Sequence, residues 1–275
     1  MEIPIRNIAK KMTINREGFL SKEIESWIKK YREKYASFFE IAYEINRLCH
    51  RSMFSFGVHN QHLQEITVAS LYLRILSNFQ AVVLLCERGM IPEANVMARI
   101  MLESIFILHA IVKDKKLAED YVREDQIARR KLFYKCSQLK EKLPSDIDAK
   151  EFEAAKNELE EDIQNKCIKS RSTEDWSKEA GMHETYLTAY TILSNTVHSK
   201  VRDLQDYFGI DENGEIKTFH WGPSDKGVLR VLATSIEGML LSLAVTSSFF
   251  DKEQNEIIEG YQKKLGKMMS EANIT

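Results

Sequence analysis

The chain is poor in residues that interrupt helices. Four prolines and eleven glycines are spread over 275 residues. Long segments therefore run without a turn signal, which favours helices over a fold built from many short strands. Cysteine is equally sparse: Cys49, Cys86, Cys136 and Cys167 lie far apart, with no CxxC pair. That excludes a disulfide framework and a zinc ribbon, and points to reduced thiols in a cytoplasmic protein. Charge of one sign is not in excess either. Lys plus Arg number 39 against 41 Asp plus Glu, a formal charge of −2. Coating of nucleic acid by bulk electrostatics is excluded, while a local basic groove is not. There is no Gly-rich phosphate loop, no GxSxG, no HExxH and no paired Glu-x-x-His, so the sequence implies neither a metal ion nor a cofactor. The first residues, "MEIPIRNIAKKMTINREGF", lack the apolar core of a secretory signal. The most apolar run, "GMLLSLAVTSSFF", falls short of the roughly 20 residues that cross a bilayer, and Glu237 abuts it. The expectation is a protein with no membrane partner.

What the sequence has is helical periodicity. Ile24, Trp27, Ile28, Tyr31, Tyr35, Phe38, Phe39, Ala42 and Ile45 recur at three- and four-residue spacing, which predicts one long helix over 21–50. A second helix is expected over 62–88, ended by Gly89 as a left-handed terminator, with Pro92 in the first turn of the next. That third helix, "PEANVMARIMLESIFILHAIVKD", is apolar nearly all round and should be central. A fourth is expected over 117–143. Residues 145–170 are charged and read as a projecting helical arm, a solvated face and a candidate docking element for a protein partner. "RSTEDWSKEAGMHE" reads as a loop. Helices over 184–208, 225–250 and 252–269 complete the chain, with a small hairpin or turn at the Asn-Gly of "DENGEIKTFHWGPSD". The fold class is all-α: a single multi-helix bundle over 1–275 carrying the arm. Its long apolar helices leave room for a homodimer face.

Polar residues four apart line up along a helix. Ser194, His198 and Arg202 form such a row beside the apolar stripe that contains Tyr190 and Leu193. Asn95, Arg99 and Glu103 form another, and Arg99 and Glu103 are expected to be half-buried and paired. Ser70, Arg74 and Asn78 form a third, and Arg230, Thr234 and Glu237 a fourth. Each row by itself is most simply a structural lattice. Converging rows would line a polar cleft between helices. Arg99 and Arg202 then suit a phosphate, and His198 suits proton transfer. Glu103 would orient Arg99 or act as a second acid–base group. Ser194, Tyr190 and Arg74 are the further candidate binding residues. The set fits metal-independent chemistry on RNA or a nucleotide. The alternatives are a non-enzymatic interaction protein and a sensor of an anion or other small ligand. His59 and His62, followed by Glu65, read as a polar helix start.

The order of these motifs resembles a known family. "LLCERGMIPEANVMARIMLESIFILHAIV", then Trp176, then "YTILSNTVHS", is similar to a family of bacterial all-α proteins described as a domain of unknown function. The matching positions are Gly89, Arg99, Glu103, Tyr190, Ser194 and His198, over roughly 71–202. A looser likeness in helix layout is to the HEPN superfamily. Many of its members are ribonucleases of toxin–antitoxin and phage-defence systems, with four to six residues between an Arg and a following His. Here no Arg stands in that window before His198, and Arg202 comes after it. The resemblance implies a defence or toxin-type effector, with ribonuclease activity as the chemistry.

Overall fold

The computed structural model describes residues 5–7, 17–138, 148–197, 204 and 207–274. The elements that matter are β1 (Ile5–Asn7), α1 (Ile24–Lys34), α2 (Ala36–Met53), α3 (Leu63–Glu87), α4 (Ile91–Lys113), α5 (Lys115–Ser137), α6 (Ala149–Asn165) and α7 (Thr173–Glu179). A short helical turn α8 (His183–Thr185) leads through a π-helical turn, Tyr186–Tyr190, into α9 (Thr191–Val197). Then come β2 (Phe208–Ile210), β3 (Ile216–Trp221), α10 (Val228–Phe249) and α11 (Asn255–Glu271). The all-α expectation holds; the sheet is a minor attachment in the order β1-β3-β2. Its β2–β3 pair is antiparallel, with the Asn-Gly turn between the strands.

α3, α4 and α10 make the centre of the bundle, and each is apolar on more than one face. α4 and α10 approach closely at Gly238, where a Cβ would lie 2.9 Å from Cδ1 of Ile105. Tyr72, Phe79, Phe106, Met101 and Ile75 fill the space between them and are almost wholly enclosed. Among the described residues, α3, α4 and α10 are also long and apolar enough to cross a membrane, with mean hydropathies of 1.6, 1.6 and 1.7. Between 50% and 61% of each apolar window is buried within the bundle itself. The short run "GMLLSLAVTSSFF" was thus a poor guide to length, because Val228–Phe249 continues its apolar character through Leu229, Val231 and Leu232.

Several boundaries differ from the periodicity reading. The helix expected over 21–50 breaks at Tyr35, whose φ of −116° and ψ of 31° leave the helical region. Both halves keep the apolar spacing, so the pattern carries no mark of the break. The stretch expected as a loop contains α7, started by a reciprocal Ser172–Asp175 capping box. Trp176 on α7 is buried under Tyr121 and Arg171. The charged arm is a helix, and Phe152 packs its start against Phe133 of α5 at 5.0 Å. α5 is described as far as Ser137; the expected helix end near 143 lies outside the described residues. All four cysteines are free.

Gly89 behaves as expected and does more. Its φ of +69° ends α3 in the left-handed region, and its carbonyl accepts the N–H of Ser224 at 3.0 Å. A Cβ there would stand 2.8 Å from that same nitrogen. Gly89→Ala therefore combines backbone strain with a clash against backbone, and should cost at least about 2 kcal/mol in urea denaturation. A change below about 0.5 kcal/mol would show that the Gly89–Ser224 contact is dispensable.

Candidate functional site

Arg99 lies in the middle of α4, beneath the segment that begins at His183. Its side chain is 17% exposed. Nη2 lies 2.9 Å from Oε1 of Glu103, one helical turn on. The same Nη2 donates to the Tyr190 hydroxyl at 2.7 Å, and Nε donates to Oγ of Ser194 at 3.1 Å. Tyr190 in turn donates its hydroxyl proton to Oε1 of Glu103 at 2.8 Å. The guanidinium carbon also sits 5.0 Å from the centre of the Tyr190 ring. A partly buried cation is thus met by three oxygens and an aromatic face, which offset the loss of water around the charge.

The local chain explains how Tyr190 reaches this position. Residues Tyr186–Tyr190 form a π-helical turn, and the Thr191 hydroxyl bonds back to the Tyr186 carbonyl at 2.8 Å. The wider turn advances the helix by an extra residue and rotates the next turn about the helix axis. Tyr186 and Tyr190 stack at 5.0 Å, His183 stacks on Tyr186 at 5.9 Å, and Phe106 meets Tyr190 edge-on at 6.0 Å. Ser194 donates its hydroxyl to the Tyr190 carbonyl at 2.8 Å while accepting from Arg99.

Four of the residues read from the sequence as a site, Arg99, Glu103, Tyr190 and Ser194, are therefore brought together. His198 and Arg202 lie outside the described residues. Arg74 is exposed on α3 and takes no part in this network; Asn78, one turn on, is buried, with Nδ2 lacking a described partner.

Beside this network opens a groove of about 1240 Å³. Asn95, one turn before Arg99 on α4, lines it, as do Ala189, Ile192 and Leu193 from the latched segment. The opposite wall is the row Arg230, Thr234 and Glu237 of α10, and His220 and Trp221 of β3 close one side. Arg230 and Glu237 are exposed and make no ion pair among the described residues. The connection before α10 is pinned down. Asp225 accepts hydrogen bonds from Lys34 and from the Tyr35 hydroxyl, and the Tyr31 hydroxyl donates to the Ser224 carbonyl at 3.0 Å. Burial works against ionisation of Asp225, but the bonds from Lys34 and Tyr35 outweigh it and hold its carboxyl below the usual range. Burial raises the Tyr31 phenol far above its ordinary value, so this phenol stays a donor.

The Arg230 row was visible as spacing; the part played by His220 and Trp221 was not. They belong to a short strand whose position depends on pairing with β1 and β2. Elsewhere, His59, His62 and Glu65 bring their ligand atoms within 4.8 Å of one another.

Fold and site together define a helical protein with a groove of mixed polar and apolar lining between α4, α10 and a short latched segment. The chain belongs to a family of unknown function (DUF5677), whose model matches residues 65–216. That range holds Asn95 and the whole Arg99 network, while the α10 wall lies beyond it. No curated protein and no solved structure matches the chain.

The Tyr190 hydroxyl is the hub, accepting from Arg99 and donating to Glu103. Tyr190→Phe should lower stability by about 1.5–3 kcal/mol in chemical denaturation, the range for hydrogen bonds to charged groups. A loss no larger than that of an exposed Tyr134→Phe control would show that the hydroxyl is dispensable.

Proposed function

We propose that the protein binds a nucleotide-class ligand in the groove and acts as an intracellular effector or sensor responding to a nucleotide or RNA end. The observation that carries this reading is the Arg230–Thr234–Glu237 row facing a groove of about 1240 Å³. Along one helix face, seven residues separate a cation from a carboxylate by about 10 Å. A ribonucleotide has matching poles. Its phosphate suits Arg230, and its sugar hydroxyls or exocyclic amine suit Glu237 as acceptor. Trp221 and His220 offer ring faces for a base. The apolar floor, with Ile91, Leu193 and Val231, supplies the remainder of a typical ligand site.

The Arg99 guanidinium fits this reading as a support for the wall. Its N–H groups toward Glu103, Tyr190 and Ser194 are already engaged, so it is poorly placed to serve as a free phosphate clamp. RNA cleavage of the kind the HEPN likeness implies would need His198 as the proton carrier, and that residue lies outside the described ones. Binding is the activity that the geometry supports, and turnover is tested separately.

Calorimetric titration with the four ribonucleoside 5′-monophosphates tests the reading. At least one should bind with a micromolar Kd, and Arg230→Ala should weaken it at least tenfold with the fold unchanged by circular dichroism. No binding of any of the four, or equal binding by Arg230→Ala, would overturn it. A parallel incubation with total RNA, comparing wild type with His198→Ala, reports whether cleavage accompanies binding.

A further inference from the structure

His59 and His62 lie in the turn that leads into α3, and Glu65 stands in the first turn of that helix. Nδ1 of His59 is 2.8 Å from one carboxylate oxygen of Glu65, and Nδ1 of His62 is 2.6 Å from the other. Glu65 also accepts the backbone N–H of His59 at 2.8 Å. The two imidazoles thus converge on one carboxylate, each through the nitrogen nearer its own backbone.

We propose that His59, His62 and Glu65 form a binding site for a zinc-class divalent ion. The chemistry of the donor set favours it: two imidazoles and a carboxylate are the ligand types of three-ligand zinc sites that keep a fourth position open. The preference for imidazole is shared by the neighbouring late transition ions, and a site without thiolate is unsuited to soft monovalent copper. Mg²⁺ and Ca²⁺, which take mostly oxygen ligands, are disfavoured.

The present geometry is that of hydrogen bonds, in which a proton stands between each Nδ1 and the carboxylate. An ion takes the place of those protons. Each imidazole then carries its hydrogen on Nε2 and gives its Nδ1 lone pair to the metal. With metal–ligand bonds of about 2.0–2.1 Å, tetrahedral neighbours stand about 3.3 Å apart, so the two short N···O contacts of 2.8 and 2.6 Å must widen while the ligand atoms, now spread over as much as 4.8 Å, draw together. The side chains are free to do this: His59 and His62 are 70% and 61% exposed, whereas Glu65, at 19%, is the fixed member. The carboxylate is held by the backbone bond from His59 and by its place on α3, so one ligand is oriented before the ion arrives. The site is separate from the groove, none of whose lining residues it shares.

The test is titration of the untagged full chain with Zn²⁺ by calorimetry, and with Co²⁺ followed by visible absorption. Exposed Cys167 and half-exposed Cys136 are the competing soft ligands, so a Cys136→Ser/Cys167→Ser variant is run beside the wild type. The expected result is one Zn²⁺ per chain in both, with cobalt bands of low-symmetry four- or five-coordination. His59→Ala and Glu65→Gln should each weaken binding at least tenfold, and Mg²⁺ should not compete. The proposal is overturned by no stoichiometric binding in the wild type, by loss of binding in the cysteine variant, or by unchanged binding in a His59→Ala/His62→Ala variant. His59 and His62 are exposed, so their replacement leaves the bundle folded, and circular dichroism checks this.

Discussion

The contact on which this structure turns is the Arg99 guanidinium against Glu103, Tyr190 and Ser194. α4 packs on α3 and α10 through large buried side chains, an attachment that many hydrophobic substitutions would preserve. The segment from Tyr186 to Ser194 has a thinner apolar footing: Leu187 and Ile192 are 59% and 58% exposed, and only Tyr190 and Leu193 are buried. Its register on α4 is therefore set by directional bonds. A charged side chain at 17% exposure tolerates few arrangements, because each displaced partner leaves a donor or acceptor unsatisfied away from water. This is where a polar network confers uniqueness on an interface that hydrophobic burial alone would leave loosely specified.

The groove is a consequence of that constraint. Ala189, Ile192 and Leu193 line it because the latch holds their segment in place. The other wall depends on a second set of tethers, at the connection before α10: Gly89 to Ser224, Tyr31 to Ser224, and Lys34 with Tyr35 to Asp225. The two sets act on different elements. The groove is thus a space left between two separately pinned walls, with Asn95 of α4 along its floor and the Arg230 row of α10 facing in. Its mixed lining suits a ligand with an aromatic or apolar middle and polar ends better than a long uniform polyanion.

Much of this was legible in the sequence. Gly89 and Pro92 marked the α3–α4 junction by their own backbone preferences. The four-residue spacing of Arg99 and Glu103, within a helix with almost no wet face, foretold a half-buried pair. The identity of its other partners was hidden, since Tyr190 and Ser194 lie some ninety residues away in sequence and reach Arg99 through a π-helical turn that periodicity does not record. The break at Tyr35 was hidden because both flanks keep the same apolar period. α7 was missed because its seven residues make only about two turns, too few to establish a period, although Ser172 and Asp175 carry the capping pattern that starts it. The convergence of His59 and His62 on Glu65 was likewise hidden, because the spacing alone is equally that of an ordinary helix start.

Native-state amide hydrogen exchange on wild type and Arg99→Met reads the latch most directly, since Met keeps much of the side-chain volume and removes the charge and its bonds. Amides of the Tyr186–Ser194 segment should lose protection at least tenfold while those of α3 and α10 stay as they were. Unchanged protection in that segment would mean that apolar packing holds it without Arg99. A uniform loss across the bundle would mean that Arg99 supports the whole core, and either result would contradict the latch.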